Sequence, residues 1–127
     1  MVEGGESLEF VITGYEPKTV FELKQMVSNL GHEVIASAST GDAAIKITRK
    51  LKPDLVLVDL NLQGEMKGVD AGKKITEDLK VPVIYITVFT KNCLTKSLQL
   101  PEDAVTVSKP IKQDHLKFAI SNIMSKK

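Results

Sequence analysis

The chain has 127 residues, 43% of them hydrophobic and 26% charged, with a net charge of +1, enough for one core and one domain without disulfides or metal. Seventeen basic and sixteen acidic residues, scattered apart from Lys126-Lys127, give no electrostatic argument for nucleic acid or an anionic membrane as partner. A lone cysteine, Cys93, excludes an intramolecular disulfide, no apolar stretch reaches membrane-spanning length, and the start Met1–Glu6 lacks a signal peptide's basic and apolar regions, so a cytoplasmic, reducing location is expected.

Residues 1–7 are polar and glycine-rich and read as a flexible start, 8–124 as the folded domain and 125–127 as a tail. Leu8 to Thr13 reads as a first strand ending at Gly14. Pro17-Lys18-Thr19 opens a helix in which Thr19 and Glu22 have capping-box spacing, with Val20, Leu23, Met26, Val27 and Leu30 at helical intervals. Gly31 stops it. His32 to Ser37 is a second strand. A second helix over Asp42 to Leu51 would turn Ala43, Ala44, Ile47 and Leu51 inward. Pro53 starts a third strand whose run Leu55-Val56-Leu57-Val58 reads as buried on both faces, and Asp59 closes it. A loop through Gly64 and Gly68 leads to a helix over Val69 to Leu79. Val81 to Thr87 is a fourth strand, followed by a weak helix over Lys91 to Leu98, a short strand over Ala104 to Val107, and a last helix over Gln113 to Met124.

Five strands alternating with five helices through short connections imply right-handed crossovers and a five-stranded parallel sheet covered on both faces. That is a doubly wound α/β sandwich of flavodoxin-like type. Open sheets of this kind build ligand sites at the carboxyl ends of their strands. Asp59 ends the third strand, Thr87 ends the fourth, and Lys109 follows the fifth. Singly, each has an ordinary reading: a capping acid, a good strand residue, a surface lysine. Together an acid, a hydroxyl and an amine on one edge form an anion-handling site, with the carboxylate as nucleophile. His32 and His115 fall at no strand end and read as structural or solvated.

With Pro53-Asp54-Leu55-Val56-Leu57-Val58-Asp59, the loop Gly64 to Gly68, Val81-Pro82-Val83-Ile84-Tyr85-Ile86-Thr87 and Ser108-Lys109-Pro110, the chain resembles the receiver domains of two-component response regulators over residues 8–124. Ser39-Thr40-Gly41-Asp42-Ala43-Ala44 also looks like that family's turn into its second helix. The resemblance implies strand order 2-1-3-4-5. It implies that Asp59 accepts a phosphoryl group from a histidine kinase or phosphotransfer protein, that Lys109 pairs with the phosphoryl oxygens, and that Thr87 hydrogen-bonds one of them. It also implies a cis Lys109-Pro110 bond. The signalling surface would be the fourth helix, fifth strand and fifth helix, also a route to a homodimer. The domain would not itself be an enzyme.

Two departures qualify the resemblance. The family usually carries two acidic residues after the first strand that hold Mg²⁺ with the phosphoacceptor; those places hold Gly14 and Tyr15 here. The ligands left for Mg²⁺ are Asp59, the backbone carbonyl of Asn61, and Glu16 if the turn folds it back. The aromatic residue expected three places before the lysine is Thr106, and Phe89 is the nearest substitute. Two readings follow: a phosphorylated receiver, or a phosphorylation-independent interaction module with a standing Asp59–Lys109 ion pair. With no segment after residue 127, output is expected through a downstream protein partner, or the chain is a piece of a longer sensor protein. A phosphatase of the haloacid-dehalogenase type would need a second carboxylate where Asn61 stands. A nucleotide-binding module would need a glycine-rich loop where Gly14-Tyr15-Glu16-Pro17 stands.

Overall fold

The computed structural model describes residues 7–62, 64–88, 100 and 103–125. Five strands, β1 (Glu9–Thr13), β2 (Glu33–Ala38), β3 (Leu55–Asp59), β4 (Val83–Val88) and β5 (Val105–Lys109), form one sheet in the order β2-β1-β3-β4-β5. Every pairing is parallel. Four helices are present among the described residues: α1 (Pro17–Asn29), α2 (Gly41–Leu51), α3 (Gly68–Asp78) and α4 (Gln113–Met124). Five were expected; the one read over 91–98 lies outside the described residues, as do Phe89 and Cys93. No helix among the described residues is long and apolar enough to cross a membrane.

The pleat explains the two layers, because successive residues of a strand face opposite sides. Phe10, Ile12, Leu55, Leu57, Ile84 and Ile86 pack with Leu23 and Val27 of α1 and Leu116 and Ile120 of α4. Their neighbours Val11, Val56, Val58, Val83 and Tyr85 pack on the other face with Ala44 and Ile45 of α2 and Ala71 and Ile75 of α3. All five residues of β3 are buried, as its unbroken apolar run demands. Tyr85 lies so close over α3 that any side chain at Gly72 would run into its ring.

Three local expectations need correction. The cap of α1 is Glu16, three residues before Thr19: Pro17 occupies the first helical position, where its fixed φ and missing N–H cost nothing. Thr19 is a buried residue inside the first turn. In α2 the buried residues are Gly41, Ala44, Ile45 and Thr48; of the expected inward set, Ala44 is buried, Ala43 and Ile47 pack partly buried on the core, and Leu51 is 40% exposed. Thr40 accepts the N–H of Ala43 on its side chain, starting the helix at Gly41. Finally, β5 runs through Lys109 rather than stopping before it.

Candidate functional site

The side chain of Asp59 is only 2% exposed, at the carboxyl end of the central strand β3. A charge there needs compensation. The ammonium of Lys109, the last residue of β5, reaches Asp59 Oδ2 at 2.8 Å. The two residues are far apart along the chain, and only the parallel sheet brings them together. The other oxygen, Oδ1, accepts the backbone N–H of Asn61 at 2.9 Å. That bond is an Asx-turn, the habit of an aspartate to bond its own backbone two residues on. Oδ2 has no hydrogen-bond donor in good geometry, so the Lys109 contact is one of charge rather than of aligned hydrogen bonding. Asp59 is thus an acid with one oxygen held and one oxygen facing a cation.

Thr87 stands at the same rim, half-buried, on β4. The register pairs Asp59 with Ile86 and Thr87 with Ser108, so Thr87 lies one residue beyond the acid. It makes no hydrogen bond to Asp59 among the described residues. The pleat is the reason. Residues 55, 57 and 59 alternate toward the α1 and α4 side, as do 105, 107 and 109, whereas 83, 85 and 87 alternate toward the other. The Lys109-Pro110 peptide bond is cis, as the resemblance implied.

The β1–α1 corner forms the third wall. Gly14 is buried and its N–H donates to Ala38 O at 2.9 Å. A Cβ built on Gly14 would lie 3.5 Å from Asp59 Cβ, 3.8 Å from Asp59 Oδ2 and 3.2 Å from a methyl of Val20. A side chain at position 14 would therefore start beside the acid, with a Val20 methyl as its other neighbour. Tyr15 is 45% exposed. Glu16 is exposed, and its carboxylate accepts the Thr19 hydroxyl at 3.3 Å at the start of α1. Among the described residues no three His, Cys, Asp or Glu side chains are grouped to hold a metal. Apart from exposed Glu16, the donors for Mg²⁺ are one buried carboxylate and backbone oxygens, a poor match to a cation that takes near-octahedral oxygen ligands.

Two contributors escaped the sequence reading. The amide N–H of Asn61 holds Asp59, a contact separate from the metal-ligand role expected of its carbonyl, and the Asx-turn habit of aspartate is the signal for it. Val20 was read only as a core residue of α1. His32 stacks on Phe10 with ring centroids 5.5 Å apart and accepts the Leu8 N–H on Nδ1, a structural role, and His115 is exposed on α4.

Comparison with known proteins agrees with this geometry. The family model for the response regulator receiver domain matches residues 12–121. The phyllosphere-induced regulator PhyR of Methylorubrum extorquens is 34% identical over 117 residues, covering 91% of this chain and 43% of PhyR. Protein PilH of Pseudomonas aeruginosa is 29% identical over 122 residues, covering 91% of this chain and 96% of PilH. Among solved structures, PhyR of Bartonella quintana, described as an anti-anti-sigma factor, superposes with a TM-score of 0.80 at 34% identity. That match covers 94% of this chain and 48% of the other. The chain thus spans about half the length of the PhyR proteins it matches.

Proposed function

The chain belongs to the response regulator receiver family, and from that premise we propose that Asp59 is a phosphoacceptor serving a histidine kinase or a phosphotransfer protein. The observation that carries the reading is the buried Asp59–Lys109 contact of 2.8 Å at the end of the central strand. An Asp59 oxygen attacks phosphorus, the P–N bond to the donor imidazole breaks, and the donor ring keeps the electron pair and takes up a proton. Asp59 gives up its own charge in the acyl phosphate, and Lys109 is then free to pair with the phosphoryl oxygens. Asn61 holds the acid's orientation through its N–H. Thr87, unattached to Asp59 beforehand, is available to donate its hydroxyl to the new anion. The chemistry is positioning and charge neutralisation by a domain that is acted upon, not a turnover enzyme.

Output through a protein partner is the natural consequence. The new phosphoryl charge redirects Lys109 and Thr87, which lie at the carboxyl ends of β5 and β4. β5 is an edge strand with Thr106 exposed, and α4 beside it presents Phe118 at 73% exposure. The description of a PhyR relative as an anti-anti-sigma factor favours a protein rather than DNA as the target of this face. A second reading, a phosphorylation-independent interaction module, draws on Gly14 and Tyr15: with no acidic residue at either place, the Asp59–Lys109 contact can stand as a permanent ion pair.

Intact mass after treatment with acetyl phosphate decides between them. The phosphoacceptor reading expects one phosphoryl adduct on the wild type and none on Asp59→Asn. Absence of an adduct with acetyl phosphate and with every phosphohistidine donor tried would leave the interaction module standing.

A further inference from the structure

We infer that the Asp59 site works without a divalent cation, Lys109 facing the phosphoryl group as its positive charge, and that Gly14 is the residue that decides this. The inference rests on the phosphoacceptor reading above and deepens it.

Geometry supplies the first argument. Position 14 is where a second carboxylate would meet the acid, since its Cβ direction ends 3.8 Å from Asp59 Oδ2. Glycine puts no side chain there, and a Val20 methyl lies 3.2 Å from where that Cβ would stand. Tyr15, the next residue, is exposed, and Glu16 is engaged with Thr19. A cation beside Oδ2 would therefore find no carboxylate at position 14 on the β1–α1 side. On the β5 side it would meet the Lys109 ammonium, a like charge already 2.8 Å from the same oxygen.

The balance of charge supplies the second argument. A site with two extra carboxylates needs a dication to cancel them before an anion can enter. Removing the acids and the dication together leaves the total unchanged. In both arrangements a phosphoryl group of about −1.5 to −2 charges faces the single positive charge of the lysine. Gly14 and Tyr15 thus give the metal-free site the same net charge as a site with both acids and the dication, whereas keeping one acid without metal would make it more negative toward its ligand.

Two measurements test the inference, and the first does not depend on phosphorylation. Mn²⁺ is titrated into the unmodified protein while paramagnetic broadening of the Gly14 and Asn61 amide signals is followed. The wild type is expected to show no saturable site at millimolar Mn²⁺. Gly14→Asp is expected to gain one, at least about tenfold tighter than any residual wild-type binding. Gly14→Asp with Val20→Ala relieves the methyl contact should the single variant fold poorly. Saturable Mn²⁺ binding beside Asp59 in the wild type overturns the inference, as does failure of the folded Gly14→Asp variants to gain a site. The second measurement is the yield of acetyl phosphate adduct with Mg²⁺ and with EDTA. Equal yields support the inference, and an adduct formed only with Mg²⁺ overturns it. No adduct under either condition would sink the phosphoacceptor reading instead, and the Mn²⁺ titration would still decide the point about Gly14.

Discussion

Two aspartates flank the same strand, and their contrast shows how surroundings set what a carboxylate does. Asp54 precedes β3 at the amino rim and Asp59 ends it at the carboxyl rim. Asp54 is half-exposed, accepts the Glu9 N–H at 2.8 Å, and donates its own N–H to Glu9 O at 2.8 Å. It stitches the start of β1 to β3, and both partners are backbone. Asp59 is buried, and its partner is a long charged side chain from the far edge of the sheet. A carboxylate tied to backbone is structural. One compensated by a side chain that can move is free to change partners.

The largest difference between the two should be chemical. Asp54→Asn is expected to keep acetyl phosphate labelling at wild-type level, whereas Asp59→Asn loses it entirely; labelling that survives at position 59 or vanishes at 54 breaks the comparison. Next comes the charge pair. Lys109→Met leaves a buried carboxylate held by one N–H, and should lower unfolding stability in urea by about 2–3 kcal/mol, below the ~3–5 of fully buried pairs because Lys109 is a fifth exposed. Asp59→Asn should cost less than Lys109→Met, since it leaves the lysine room to hydrate, and adding it to Lys109→Met should restore stability. Asp54→Ala removes a charge-assisted bond at a more exposed place, and about 1 kcal/mol is expected by the same measurement.

The smallest effect involves His32, which shares the amino rim with Asp54. Burial lowers its pKa below 6.5, and the nearby Asp54 charge opposes that shift. The unfolded chain therefore binds a proton more readily than the fold does. The stability tied to neutral His32 is complete above 6.5 and declines as pH falls through that value toward the lower folded pKa. Stability measured from about pH 7 down to about pH 5 should fall less steeply in His32→Gln. It should fall more steeply in Asp54→Asn, where the opposing charge is gone. A His32→Gln slope identical to wild type would refute the assignment.

Much of the fold was legible because β3 is an unbroken apolar run and the connections are short, which leaves few topologies for a parallel sheet. Asp59, Thr87 and Lys109 were legible as strand-end polar residues, a pattern that apolar strands make conspicuous. The α2 face is legible at Ala43, Ala44 and Ile47 but not at Thr48, because a threonine buried on a helix looks polar in the sequence. The capping-box spacing of Thr19 and Glu22 misleads because Thr19 lies inside the first turn, with Glu16 as the cap. The meaning of Gly14 was only half legible. Its mismatch to the family pattern is visible in the chain, but that position 14 lies between Val20 and Asp59 depends on packing across α1 and β3.

The central claim is that Lys109 and Thr87 share one anion with Asp59, and the ¹⁹F spectrum of beryllofluoride bound to the protein tests it most directly. The account predicts bound fluorine resonances in the wild type that disappear in Asp59→Asn and shift separately in Lys109→Gln and Thr87→Ala. Fluorine resonances left unmoved by either of the last two substitutions, at unchanged affinity, would contradict it.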